Sequence, residues 1–301
     1  MNVPPPTANA LQPAAQPPGQ LQARIARLFV YPIKSCAGVE LKESVLTPTG
    51  LDYDRAWMVV DEQGEFVSQR ELPRMALVQP TLKVHEMVLR APGMLALHIS
   101  LDAVEKPVRV RIWDDEVAVF DMGDLAAQWF SDFLGRPLRM VRFDPDHKRL
   151  SDRRWTGDIE AESAFADAFS LLVVSAAGLA ELNRRLHLAG EAPVTMARFR
   201  PNIVLDGLDA HGEDHLDEIG FDSADGPVRL KLVKPCTRCP IPDIDPVTAT
   251  PGHAVGDALR SYRADPRMDG ALTFGMNAVI AQGIDCALRV GLEGRGTVRF
   301  D

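Results

Sequence analysis

Two of the four cysteines in this 301-residue chain stand close together, in Lys234-Pro235-Cys236-Thr237-Arg238-Cys239-Pro240. Thiols at this spacing point to three chemistries: a zinc site, a redox dithiol, or a thiolate ligand to a softer metal. Structural zinc wants four ligands, and the sequence has no second cysteine pair. His253 lies beyond a proline-rich stretch and leaves the set incomplete. A thioredoxin-type dithiol opens a helix, whereas Pro240 and Pro242 suit extended chain. Lys234 and Arg238 favour the thiolate electrostatically, and a thiophilic transition metal would accept it. The plain alternative is a pair of buried, inert cysteines in a loop.

Three other segments have the chemistry of anion binding. Val30-Tyr31-Pro32-Ile33-Lys34-Ser35-Cys36-Ala37-Gly38 is a strand end that turns sharply with Lys34 and Ser35 at the bend, where backbone N–H groups and a lysine can form an anion nest. It lacks the glycine cradle of a Walker loop, and a surface lysine in an ordinary turn is the simpler reading. Gly50–Trp57 (GLDYDRAW) carries Arg55, which either grips a phosphate in bidentate fashion or pairs with Asp52 or Asp54. In Arg198–Leu205 (RFRPNIVL), strand alternation places Arg198, Arg200 and Asn202 on one face, as an anion site or as a polar strand edge. Ser175, between an apolar strand and a helix, reads first as an N-cap, at a helix end that also suits phosphate. Glu213, Asp214, Asp217 and Glu218 read as a solvated acidic turn rather than a hard-cation site.

The elements that must position these residues follow from the rest of the sequence. Strands are expected at Ala23–Tyr31, Ala56–Val60 (with a hairpin through Asp61–Gly64 to Phe66-Val67), Leu82–Leu89, Leu95–Ile99, Val108–Trp113, Glu116–Phe120 and Leu138–Phe143. Leu125–Leu134 has helical spacing, with Asp124 as N-cap and Gly135 as its stop. The charged stretch Asp144–Asp167 reads as a domain boundary or long active-site loop. Leu171–Val174 is a buried strand, Ala176–Leu188 a helix, and strands follow at Ile203–Leu205, Val228–Val233, Asn277–Ala281, Leu288–Val290 and Thr297–Phe300, with proline-rich loop over Cys236–Pro251. The fold class is α+β and mainly β: barrel-like sheets with a few helices, in two linked parts. Residues 1–20 hold six prolines and read as a disordered tail, with one domain over 21–145 and a second over 146–301.

Composition narrows the function. With 33 Lys+Arg against 42 Asp+Glu the net charge is −9, which argues against binding a nucleic-acid polymer. No run approaches the roughly 20 apolar residues of a membrane span, and the N-terminus lacks the pattern of a secretory signal. Four cysteines are too few for a disulfide scaffold at this length, so a reduced, cytoplasmic setting is expected. There is no GxSxG elbow, HExxH helix or post-strand GxGxxG, and the seven histidines are scattered.

In this order, the segments resemble the MOSC domain proteins, named for the C-terminal domain of molybdenum cofactor sulfurase. VYPIKSCAG and GLDYDRAW look like the β-barrel domain that precedes MOSC in the branch with the mitochondrial amidoxime-reducing component and its bacterial relatives. RFRPNIVL, EDHLDE and KPCTRCPIPDID look like MOSC itself. The resemblance runs from about residue 22 to near the C-terminus, and it implies a molybdenum cofactor, a pterin dithiolene holding molybdenum with one protein thiolate. Cys239 matches the metal-ligand position and Cys236 a more variable neighbour. Lys34, Ser35, Arg55, Arg200 and Asn202 match positions around the pterin and its phosphate, and Ser175, Thr237 and Arg238 match positions lining the same pocket.

On this resemblance the expected activity is reduction of N-hydroxylated compounds. After Cys239 only Cys286 remains, so no iron–sulfur cluster is expected and electrons come from a separate ferredoxin-, flavodoxin- or cytochrome-like donor. Where the family often carries hydroxyl residues, this chain has Pro240-Ile241-Pro242-Asp243-Ile244, which bears on substrate preference; Asp243 and Asp245 are the nearest acids in sequence. Two rival readings share the same residues: a carrier of the cofactor, and sulfur transfer through a persulfide on Cys236 or Cys239.

Overall fold

A computed structural model describes residues 20–299. The proline-rich tail therefore lies outside the described residues apart from Gln20, as does Phe300 of the predicted last strand. Seven strands close into a barrel: β1 (Gln20–Val30), β2 (Leu171–Ser175), β3 (Ile203–Asp206), β4 (Leu216–Ser223), β5 (Gly226–Thr237), β6 (Ala271–Gln282) and β7 (Glu293–Val298). Neighbours run β2-β3-β1-β7-β4-β5-β6, and β6 pairs with β2 to complete the ring. Only β2 and β3 are parallel, and the helix Ala176–Leu188 makes the crossover that a parallel pair requires.

A side-chain period of two sorts the apolar residues into layers. Leu171, Val173, Ile203, Leu205, Leu230 and Leu232 fill the barrel. Their neighbours Leu172, Val174 and Val204 turn outward with Phe29 and Tyr31, and pack under Leu182 and Leu186 of the crossover helix. The intervening chain builds a four-stranded antiparallel sheet in the order Trp57–Val60, Arg139–Phe143, Asp115–Asp121, Lys106–Ile112. A three-stranded meander, Gln79–Leu82, Glu86–Arg90 and Leu97–Ser100, shares a core with it and with the helix Gly123–Leu134, through Trp57, Val59, Met87, Leu89, Phe130 and Phe133. Across residues 145 and 146 the chain is joined both by pairing and by packing: β1 lies in the barrel between β3 and β7, and Val30, Leu46 and Leu51 share its core with Leu171 and Leu230.

Local chemistry explains where the elements depart from expectation. Leu82–Leu89 is not one strand: Lys83–His85 turn, with the Lys83 N–H donating to the Glu86 carbonyl at 2.8 Å. The helix predicted from Leu125 begins at Gly123, and Asp124 does not cap it. Asp121 accepts the Gly123 N–H at 2.7 Å, while Asp124 pairs with Arg139 at 3.0 Å. Gly135, at φ 79, does end that helix. β5 continues past Val233 through Cys236 to Thr237, so the first thiol sits on a strand rather than in a loop. After Cys239 the chain forms a 3-10 turn, Ile241–Asp243, instead of running extended. A short helix, Ala254–Arg260, follows beyond the proline-rich stretch, where no element was expected.

Two glycines separate backbone conformation from packing. Gly135 (φ 79) has open space where a Cβ would stand, whereas Gly275 in β6 (φ 81) would place one 2.6 Å from the Val174 side chain and 2.8 Å from the Val173 carbonyl. Gly135→Ala is expected to cost about 1 kcal/mol, the left-handed penalty alone. Gly275→Ala adds overpacking at the β2–β6 seam and is expected to cost about 3 kcal/mol. Thermal unfolding should therefore show a clearly larger fall in Tm for Gly275→Ala; equal falls would mean the barrel yields at this seam.

Candidate functional site

The segment after β1 turns back at once. Lys34 N–H donates to the Trp57 carbonyl at 2.8 Å, Trp57 N–H donates to the Pro32 carbonyl at 3.0 Å, and Ser35 lies at φ 66 with its carbonyl accepting from Gln69 Nε2 at 2.6 Å. This bend buries the Lys34 side chain, which is 6% exposed. Its Nζ donates to the Phe165 carbonyl at 2.8 Å and to Asp167 Oδ1 at 2.5 Å. Burial pulls the Lys34 pKa below the usual lysine value against the opposing pull of Asp167. The Asp167 side chain is largely exposed, and Lys34, Arg55 and Arg70 hold its carboxylate ionised, well below the usual range.

Arg55 and Arg200 meet around one tyrosine. Their guanidinium carbons lie 4.5 and 4.2 Å from the centroid of the buried Tyr31 ring. Arg55 Nη1 donates to Asp54 Oδ2 at 2.5 Å and to Asn202 Oδ1 at 3.1 Å, and its Nη2 donates to the Arg200 carbonyl at 3.0 Å. Arg200 Nη1 donates to the Cys36 carbonyl. Burial and then the neighbouring Arg55 push the Arg200 pKa down to about 10, which leaves it charged at neutral pH. Arg55 and Arg200, like Ser35, adopt left-handed backbone (φ 49, 56 and 66), a conformation that costs energy in residues with a Cβ and concentrates at ligand clamps. Asn202 is buried; its Oδ1 accepts the Leu172 N–H at 3.1 Å and its Nδ2 donates to the Phe29 carbonyl at 3.2 Å, fixing the entrance of β3 between β1 and β2.

The end of β5 brings in the sulfur chemistry. Arg238 Nη1 donates to Cys236 Sγ at 3.1 Å, and its Nη2 donates to the Phe199 carbonyl at 3.0 Å. Cys236 and Cys239 are partly exposed, while Cys36 and Cys286 are buried. Burial pushes the Cys36 thiol up to about 12, so it stays protonated. Of the four thiols, those of Cys236 and Cys239 line the cleft.

These segments enclose a cleft of about 390 Å³. Lys34, Ser35, Arg55, Arg200, Asn202, Thr237, Arg238 and Cys239 all line it. Ser175 lies outside the lining: its hydroxyl accepts the Gly178 N–H at 3.1 Å and the His211 N–H at 3.2 Å, so it caps the crossover helix. Arg198 is also elsewhere, because a 3-10 turn at Met196–Arg198 and the left-handed Arg200 break the expected alternation. It pairs instead with Asp245 at 2.9 Å. Asp243 is equally structural, accepting the Val255 and Gly256 N–H groups at 2.9 and 3.1 Å. The carboxylate that does line the cleft is Asp167, which the sequence left in an undifferentiated charged loop.

That loop is firmly held. Arg149, buried, donates through Nη1 to the carbonyls of Ala164 and Ala166 at 3.1 and 2.7 Å, through Nε to Asp115 at 2.7 Å, and Ser151 Oγ donates to the Ala168 carbonyl at 2.7 Å. The wall formed by residues 166–169 is therefore pinned from behind. Sequence reasoning also missed Arg70, Phe66, Trp113, Phe169 and Asn277 in the lining. None stands in a recognisable motif, and Trp113 reads only as the end of an apolar strand.

Among the described residues no three His, Cys, Asp or Glu side chains converge in a way that could hold a metal ion. His253 pairs with Asp257 at 2.7 Å, away from the thiols. No described helix is long and apolar enough to cross a membrane.

Comparison with known proteins agrees with this geometry. Residues 22–137 match the MOSC N-terminal beta barrel domain, and residues 160–293 match the MOSC domain. The chain is similar to mitochondrial amidoxime-reducing component 1 of Mus musculus, at 34% identity over 91% of this chain and 79% of that one. The Homo sapiens protein of the same name is 35% identical over 80% of this chain and 73% of that one. Molybdenum cofactor sulfurase of Bos taurus is 31% identical over 82% of this chain, which spans 30% of that longer protein.

The acidic stretch after His211 is not the solvated turn its composition implies. Asp214 is buried against Arg263 at 2.6 Å, Asp217 pairs with Lys231, and Glu213 is completely buried. Burial, reinforced by Asp214, raises Glu213 to about 7. The folded state therefore binds more protons than the unfolded state between the ordinary glutamate value and pH 7. Stability falls as pH rises through that window, by about 3 kcal/mol when it is crossed completely. Glu213→Gln should remove this component, so that Tm falls less between pH 5 and pH 8 than in the parent. An identical pH dependence in both proteins would show that Glu213 ionises freely.

Proposed function

The chain belongs to the MOSC family, and on that footing we propose that it is a molybdenum-cofactor-binding oxidoreductase that reduces N-hydroxylated compounds with electrons from a separate donor protein. The observation that carries this reading is the charge of the cleft. Lys34, Arg55, Arg70, Arg200, Lys234 and Arg238 line it with two thiols and a single carboxylate, in a chain whose net charge is −9. Cations gathered against the overall charge, Lys34 buried and Arg55 and Arg200 half-buried, favour an anionic ligand. The two partly exposed thiols favour a soft metal. A phosphorylated ligand that carries its own dithiolene-bound metal meets both demands.

In this proposal Cys239 supplies the metal's protein ligand. Lys34, Ser35, Arg55, Arg200 and Asn202 hold the pterin and phosphate, and Thr237 and Arg238 complete the wall. Once bound, the cofactor supplies a two-electron centre for removing oxygen from an N–O bond. The protein's part is to grip and to orient. Asp167, held ionised, is no proton donor at neutral pH; it competes with an incoming anion for Lys34. Arg55 and Arg200 are already locked by Tyr31, Asp54 and backbone carbonyls, so binding an anion costs little side-chain ordering. Cleaving the N–O bond takes two electrons and two protons and releases water, and the electrons come from the donor protein. Free thiols at a partly exposed site suit a reducing compartment, and a cytoplasmic setting is part of the proposal.

Sulfur transfer is the second reading, and one contact favours it: the Arg238 guanidinium on Cys236 Sγ would stabilise a thiolate or persulfide.

The test is elemental analysis of protein made in a host that synthesises the cofactor. Molybdenum approaching one per chain is expected in the parent and its loss in Cys239→Ala. Arg200→Ala, which removes a charged donor, should weaken cofactor retention about 10- to 100-fold. Well-folded parent protein free of molybdenum and pterin would overturn the proposal and bring persulfide chemistry at Cys236 forward.

A further inference from the structure

One wall of the cleft, Arg70 apart, has no part in the grip just described. Trp113 stands at the turn between the strands Lys106–Ile112 and Asp115–Asp121, in the left-handed region at φ 54. Tryptophan is an unfavourable residue for that conformation. The residue is nevertheless 40% exposed and lines the cleft, whereas Trp57 and Trp129 are buried in the core. Two neighbours hold the indole in place. Phe66 meets it at 4.8 Å between centroids and a 59° tilt, and the Arg70 guanidinium carbon lies 4.6 Å from its centroid. Phe66 also ties this surface to the anion-binding residues, because Lys34 Nζ lies 5.5 Å from the Phe66 ring.

A strained turn that keeps a large aromatic ring open at a cleft, braced on one side by phenyl and on another by guanidinium, offers a flat apolar surface beside a cationic one. Planar π-systems stack on such surfaces, and a small hydroxylamine would leave this one in water. We propose that Trp113, supported by Phe66 and Arg70, is a specificity platform that receives the planar aromatic or heteroaromatic group of the N-hydroxylated substrate. The proposal rests on the reductase reading for the reaction itself, but binding to the platform does not require turnover.

The test compares benzamidoxime with acetamidoxime, which share the reacting group and differ in the planar ring, on the full chain loaded with cofactor. Equilibrium binding and steady-state kinetics are measured for the parent, Trp113→Ala and Trp113→Phe, with molybdenum content measured on each. Trp113→Ala should weaken benzamidoxime binding and raise its KM about tenfold, the scale of one stacking contact, with kcat within about twofold. Acetamidoxime should change less than about twofold, molybdenum content should stay at the parent level, and Trp113→Phe should recover most of the loss. Equal effects on both compounds, or none on either, would overturn the platform. So would loss of molybdenum from Trp113→Ala, since the ring would then serve the cofactor. A parent that holds molybdenum and reduces neither compound, yet binds benzamidoxime through Trp113, would leave the platform standing and sink the reductase reading.

Discussion

Two guanidinium groups of like charge share the ring of Tyr31, and the rest of the site is arranged around that fact. Bringing Arg55 and Arg200 together in a half-buried place is unfavourable unless each finds partners. The partners come from all over the chain: the Asp54 carboxylate, the carbonyls of Cys36 and Arg200, and the Asn202 amide. Because these acceptors lie on the bend after β1, on the approach to Trp57 and on the approach to β3, the network fastens the barrel to the neighbouring sheet at the point where the cleft opens. Asp54 offsets one charge, but among the described residues no carboxylate is hydrogen-bonded to Arg200. The geometry is complete and the charge is not, which is the state expected of a preformed anion site.

Such a site could not be built on regular strands. Ser35, Arg55 and Arg200 each leave the allowed region for strand or helix, and each does so just outside an element: after β1, before Trp57–Val60, and before β3. The strained backbone turns side chains that alternation would have sent elsewhere into one cleft. The barrel supplies the rigidity that makes this tolerable, since β1 and β3 are paired beside it from Arg24–Asp206 to Leu28–Ile203, across one register shift between Ile25 and Arg27.

The same feature sets how much could be read from the sequence. Buried strands such as Leu171–Val174 and the crossover helix Ala176–Leu188 announce themselves by apolar spacing, and the motif segments around Lys34, Arg55, Arg200 and Cys239 carry recognisable residue types. Alternation then fails where the left-handed residues begin. It sends Arg198 and Arg200 to one face, whereas a 3-10 turn separates them and gives Arg198 to Asp245. The Glu213 cluster fails for a different reason: four acids in six residues look solvated, and only the tertiary fold shows that the first two are buried, with Asp214 against Arg263. Nor does local sequence say that β1 will sit between two strands from the far end of the chain.

The wall at residues 166–169 shows how a segment without a motif becomes part of the site. Its own residues are small or apolar apart from Asp167, and it belongs to neither a helix nor a strand. It is positioned because Arg149 and Ser151 bind its carbonyls from behind while Lys34 binds the Phe165 carbonyl from the other side. A loop pinned at three backbone groups behaves as a rigid edge. It therefore fixes Asp167 against Lys34, and makes the carboxylate a gate on the lysine's charge: an anion entering the cleft meets a lysine already partnered, and must be the better partner to keep it. A phosphate bearing close to two charges meets that condition, while a neutral N-hydroxylated molecule does not. Within this proposal one ion pair therefore separates ligand from substrate, admitting the anion to the cationic floor and leaving uncharged molecules to the apolar wall.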